Sequence, residues 1–337
     1  MRGETLAHAD VVVAADLMGR LSAAVRTLAG DGAACVLSGG LDSAMLVGLL
    51  ARAHTLTAAY TLAADFDDDA ELTRAFDTAA HFGVAHHRLI TLREQDLPGR
   101  FVEAVRANAA PVLNGKGVAT FVLLEQLRAH GERRFLSGLG ADELLDGDLY
   151  GQESWRSALD RDRALAAQLA TPPEPPPPPL TVDAIFAEIT LPPTVDAARF
   201  LGLEACLPYC DARVSEWARA QPRAIFQRGE LGKWPLRAAA KGLVQEKLRL
   251  LPKTPRLAPA GGGSAASREA WSDLLAQLLT RARLGALCGP AIDAARVTAL
   301  RDEHAAMHDA DARRASVDRV LLTLASRTIL EPGEAAA

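Results

Sequence analysis

Cysteine is scarce: Cys35, Cys206, Cys210 and Cys288 are too few and too scattered to staple a small fold. Cys206 and Cys210 lie four apart, but no second Cys/His pair completes a zinc site, so they read as buried thiols. Excess positive charge is lacking too, and a net charge of −5 argues against a nucleic-acid-binding surface. No apolar run reaches membrane-spanning length, and "VVVAADLMG" is broken by Asp16 and has no basic leader. A reducing, cytoplasmic setting is therefore expected, without a membrane partner. Two familiar nucleotide loops are missing as well: the phosphate loop ending in Gly-Lys-Ser/Thr, and Gly-x-Gly-x-x-Gly. What remains is ordinary globular material, 49% hydrophobic and 23% charged, in a chain long enough for a substantial core.

The pattern along the chain predicts alternating helices and strands. "DLMGRLSAAVRTLAG" (16–30) has helical spacing and closes on glycine, Ala33–Leu37 is a short buried strand, and Asp42–Ala53 is a helix. "HTLTAAYTL" and "HHRLITL" read as strands two and three, with a helix over "DDAELTRAFDTAAHFG" between them. "FVEAVRANAA" and "ATFVLLEQLRAHG" read as helices, and "RRFLSGLGADELL" as a strand that breaks into a glycine-bearing turn. This alternation predicts an α/β fold: a central parallel sheet flanked by helices, with ligands at the carboxyl ends of the strands. "TPPEPPPPPL" can be neither helix nor central strand, and is expected to be an exposed polyproline-like connection. The expected organisation is an α/β core over 1–170, the Pro-rich linker 171–180, a mainly helical part 181–330 completing the same domain, and a tail 331–337.

Two glycine-bearing turns carry the chemistry. In "LSGGLDS", Leu37 ends a strand and Ser38, Gly39 and Gly40 let successive N–H groups face inward as an anion nest, reinforced by the next helix's N-terminus. Ser38 and Ser43 can donate to phosphate oxygens, while Asp42 beside an anion calls for a cation between them, a natural Mg²⁺ ligand. A tight turn with an Asp/Ser helix cap is the plainer alternative. The second turn, "SGLGADEL", places Gly138, Gly140 and Asp142 after another strand, where Asp142 can approach Asp42.

"VLSGGLDSAML" resembles the pyrophosphate loop of the ATP-pyrophosphatase superfamily. Together with "FLSGLGADELLDG", the chain is similar to the synthetase domain of asparagine synthetases and the β-lactam and carbapenam synthetases. The likeness continues through "LGLEACLPYCDARVSEWA", where that family has Glu-Ala-Arg-Val-Pro-Phe-Leu-Asp, and through "GKWPLRAAAKGLVQEKLRLLPKTPRLAPAGGGS", over roughly residues 15–275. It implies an ATP-dependent ligase that activates a carboxylate as an acyl-adenylate, releases pyrophosphate and lets an amine attack. It also implies Mg²⁺ between Asp42 and Asp142, Lys233 on phosphate, and Lys253, 20 residues on, as the catalytic lysine. Thr61, in the Tyr60–Leu62 strand end, would present backbone groups to adenine, and 258–267 would be a flap over the site.

Three departures from the family follow. No glutaminase sequence with an N-terminal cysteine precedes the domain, so free ammonia, an amine, or a separate ammonia- or amine-supplying protein is expected to provide nitrogen. Leu139 stands where asparagine synthetases have Glu and β-lactam synthetases Tyr, and leucine takes no proton; Glu188 falls near the dyad's glutamate and is a candidate base, or an exposed helix carboxylate. Cys206 replaces an Arg, which suggests a different substrate group. Asn114 and Lys116 would read a substrate carboxylate or form a turn, His86-His87 is expected to be structural, and His304 with His308 to lie on a solvated helix face. The expectation is an amide-forming ligase of specialised metabolism acting on a small carboxylic acid. Alternatives are an intramolecular lactam-forming synthetase and a catalytically silent binding subunit. A sulfur-inserting pyrophosphatase would want catalytic cysteines and a basic RNA surface, and neither is evident.

Overall fold

The structure is a computed structural model that describes residues 7–64, 69–146, 155–175, 177–252, 264–287, 292–307, 311 and 313–331. Its centre is a sheet of five parallel strands in the order β3-β2-β1-β4-β5: β1 Ala33–Val36, β2 Leu56–Ala64, β3 His87–Leu92, β4 Arg134–Leu136 and β5 Glu204–Cys206. From β1 the chain winds outward to β2 and β3, then returns to lay β4 against the other side of β1. The loops that leave β1 and β4 therefore diverge, and a crevice opens between them at the carboxyl edge.

Helices cover both faces, as a sheet without a polar face requires. Successive strand residues turn to opposite sides, so Cys35 and Leu136 join one core while their neighbours Ala34 and Phe135 join the other. The first core packs α1 (His8–Ala29) and α2 (Leu41–Ala53) with α10 (Ala212–Ala220) and α11 (Trp234–Ala239), through Leu17, Leu21, Met45, Leu46, Tyr209 and Leu236. The second packs α4 (Phe101–Asn108) and α5 (Gly115–Ala129) with α9 (Pro192–Phe200), α13 (Ala265–Leu278), α15 (Ala294–Ala306) and α16 (Arg314–Leu330). The remaining helices are α3 (Asp69–His81), α6 (Ala141–Leu144), α7 (Trp155–Gln168), α8 (Val182–Ile185), α12 (Glu246–Arg249) and α14 (Arg281–Gly285). No described helix is long and apolar enough to cross a membrane.

The predicted elements are present with shifted ends. α1 begins at His8 rather than Asp16, leaving Val11 and Val12 exposed, and α5 begins at Gly115 because Asn114 caps it by accepting from the Gly117 N–H. β5 was not anticipated: three residues carry no readable period, and only pairing with β4 makes them a strand. Within the Pro-rich segment, 171–175 and 177–179 are exposed, and the described residues run back along α7, where the Leu180 N–H donates to Asp160 and the Glu174 N–H to the Ala167 carbonyl. Residues from both sides of that segment share each core.

Candidate active site

At the β1/β4 crevice lies a cavity of about 350 Å³. Among the positions singled out from the sequence, Leu37, Ser38, Asp42, Ser43, Thr61, Gly138 and Asp142 line it, as do Lys116 and Leu139. The two turns do meet: a Cβ built on Gly138 would stand 3.0 Å from the Cβ of Asp42. Gly39, Gly40, Gly140, Lys233 and Glu188 are not part of the lining.

The loop after β1 is shaped by its own side chains. The buried Ser43 hydroxyl accepts from the Ser38 N–H, donates to the Gly40 carbonyl and lies 3.1 Å from the Ser38 hydroxyl, so it braces the loop. Ser38 itself is exposed at the cavity. Gly39 has φ +75° with the backbone of α3 against it, and the Arg74 side chain donates to its carbonyl. Thr61 is buried and donates to the Leu37 carbonyl while meeting the His87 ring at 2.8 Å; burial pushes the pKa of that imidazole down. Gly140 faces away from the cleft, where a Cβ would strike the Cys210 sulfur at 2.4 Å.

Beneath the cleft sits Lys233, only 3% exposed. Its ammonium contacts both oxygens of Asp42 at 2.8 and 2.6 Å and Asp142 at 2.7 Å. Burial alone would lower its pKa, but the carboxylates of Asp142 and Asp42 outweigh this and hold it above the ordinary value. The Lys233 backbone is left-handed (φ 55°, ψ 36°), an uncommon conformation for a side chain of this kind, at the start of α11. Arg237, 2% exposed, fixes it there by donating to the Gly232 carbonyl at 2.7 Å and to the Arg249 and Leu251 carbonyls at 2.6 and 2.9 Å. The same guanidinium thus ties the root of Lys233 to the segment leading toward Lys253, which itself lies outside the described residues. The donor set suits a hard cation: two carboxylates converge on one compact positive charge.

Several positions fall elsewhere. Glu188 is exposed on a π-helical turn, Phe186–Thr190. Cys206 is 2% exposed in the core, its thiol donating to the Leu28 carbonyl, so the substitution for Arg does not reach the cavity and carries no inference about the substrate. Burial pushes the pKa of that thiol up to about 11 and of Cys210 up to about 12, as expected of inert thiols. His304 corrects the expectation of a solvated face: it is buried against Asp318, because α16 packs over α15. His308 is outside the described residues. Asn114 is a helix cap, and 265–267 form the first turn of α13 rather than a flap, with 258–263 outside the described residues.

The sequence reading missed other parts of the site. Tyr209, fully buried, donates its hydroxyl to the Asp42 carbonyl at 3.0 Å; the family segment quoted above has Phe at this position, which was the available signal. Asp69, Glu71 and Leu72 of α3, Thr120, Leu123 and Leu124 of α5, and Thr194 of α9 complete the walls, and only packing brings them there.

A family model described as asparagine synthase matches residues 17–176 and 192–327. No curated protein matches the chain.

Proposed function

The chain belongs to the asparagine synthase family, ATP-dependent amide-forming ligases, and from that premise we propose that it adenylates a small carboxylic acid, releases pyrophosphate and passes the acyl group to ammonia or an amine. The observation that carries this reading is the convergence of the Ser38–Ser43 loop, the Asp142 turn and the Lys233 ammonium at one crevice of the sheet. The triphosphate would lie along the β1 loop at the N-terminus of α2, where first-turn N–H groups have no helical partners. Asp42 and Asp142 would hold Mg²⁺, which offsets phosphate charge when bound. Lys233, and Lys253 beyond the described residues, would supply positive charge for the leaving pyrophosphate and the oxyanion.

The same cavity is also walled by Leu123, Leu124, Leu139 and Thr194 and by the acidic residues Asp69 and Glu71, with Lys116 exposed at its edge. Leu139, where asparagine synthetases have Glu, favours an acid other than aspartate, and with it a place in specialised metabolism. Leu139 takes no proton and Glu188, the candidate from the sequence, stands exposed outside the cavity lining, so the reading favours a nucleophile already neutral at working pH. A pyrophosphate-release assay over a panel of carboxylic acids, paired with ammonia, hydroxylamine and small amines, tests the reading. Turnover with at least one pairing is expected, and Asp42→Asn and Asp142→Asn should each cut it at least a hundredfold. Pyrophosphate from no pairing, or near-normal turnover in either variant, would overturn it.

A further inference from the structure

We infer that Lys233 holds the place of the divalent cation in the nucleotide-free chain, so that metal enters the cleft together with the triphosphate and not before it. The inference rests on the nucleotide reading above and adds an order of binding to it.

Two carboxylates this close, each 16% exposed, repel one another and have lost much of their hydration. One buried ammonium at 2.6–2.8 Å from both compensates them. A dication set between the same two carboxylates would meet the positive charge of the buried ammonium at close range, where little water screens the repulsion. It therefore cannot settle between Asp42 and Asp142 while the ammonium keeps these contacts, and a pair of carboxylates alone offers too few ligands to expel a lysine. Among the described residues no group of three or more His, Cys, Asp or Glu side chains converges to make a ready metal cage. A triphosphate changes both terms. It brings oxygens that complete a magnesium shell, and it gives the ammonium a new anionic partner.

The backbone geometry suits this exchange. Arg237 clamps the Gly232 carbonyl and the left-handed Lys233 backbone opens α11, so the root of the side chain is fixed while its four-carbon stem can re-aim the head group. The compensating charge would pass from lysine to metal without the carboxylates ever facing each other alone.

Manganese binding followed by electron paramagnetic resonance tests this, on the full chain and on Lys233→Met. Without nucleotide, the wild type should bind Mn²⁺ at least tenfold more weakly than Lys233→Met. Adding α,β-methylene-ATP, with bound metal counted against the nucleotide alone, should close that gap. Mn²⁺ should also raise the melting temperature of Lys233→Met and leave the nucleotide-free wild type unchanged; if the variant folds only with Mn²⁺, that too supports the exchange. Equal Mn²⁺ affinity of wild type and variant without nucleotide, or no rescue of the variant by metal, would overturn the inference and leave the ligase reading standing. A wild type that binds Mn²⁺ in neither condition would overturn both.

Discussion

Replacing Gly39 by alanine isolates the contact that holds α3 over the loop after β1. Gly39 has φ +75°, and a Cβ there would lie 2.1 Å from the Glu71 carbonyl oxygen and 3.2 Å from the Ala75 nitrogen. Both are backbone atoms, so no side chain can swing aside, and the first turns of α3 must retreat by about 1 Å to reach ordinary contact. Gly83 provides the control: its φ of +61° imposes a similar conformational cost, but nothing lies within 4 Å of its Cβ position. The left-handed conformation costs an L-residue roughly 1–2 kcal/mol, which Gly83→Ala shows alone. Overpacking adds roughly 1–3 kcal/mol, giving about 3–4 kcal/mol for Gly39→Ala. Unfolding entropy for this length is about 0.7 kcal/mol per degree, so the expected loss in melting temperature is about 2 °C for Gly83→Ala and about 5 °C for Gly39→Ala. Thermal unfolding by circular dichroism reads both. Because Asp69, Glu71 and Leu72 line the cleft, pyrophosphate release should fall in Gly39→Ala and not in Gly83→Ala. Melting temperatures within a degree of each other would refute the close approach of α3 to the loop.

Arg237→Met removes three charge-assisted bonds to the carbonyls of Gly232, Arg249 and Leu251, and should cost about 3 kcal/mol, or about 4 °C in thermal unfolding. Pyrophosphate release should fall in parallel, since Lys233 loses its fixed root; full activity at the assay temperature would contradict the clamp. Tyr209→Phe deletes the bond to the Asp42 carbonyl without changing shape, and an outcome near 1 kcal/mol with turnover within a few-fold is expected from denaturant titration and the pyrophosphate assay. On the alkaline side, Cys206 and Cys210 are raised by burial from 9.0 to about 11 and about 12, and Lys233 is raised as well. Groups raised on folding contribute fully below their unfolded values and lose that contribution as pH climbs toward the folded ones. Melting temperature under reducing conditions should therefore be flat from pH 7 to about 8.5 and fall steadily toward pH 11. Cys206→Ala should soften that fall, and a flat profile to pH 11 would be inconsistent with buried, protonated thiols.

The alternating elements and both glycine turns were legible in the residues because their signals are local. Apolar runs ending in Ser38-Gly39-Gly40 and Ser137-Gly138 mark strand ends whatever lies around them. Asp42 and Asp142 could be paired because all strands of a parallel sheet point their carboxyl ends to one edge. The burial of His304 and the Tyr209–Asp42 bond were not legible, since each depends on which face of one element meets another; Cys206 was read as a buried thiol, and it is one.

By itself, the order of residues determined the type of fold, the site's edge of the sheet and the family resemblance. These follow from periodicity and from short motifs whose backbone demands are intrinsic. Packing alone decided that an ammonium lies buried between the two carboxylates, 191 residues from the first of them. Such a contact exists only when separate elements close around it: the attraction between charges depends on distance and on the exclusion of water, and neither is written in any local stretch of chain.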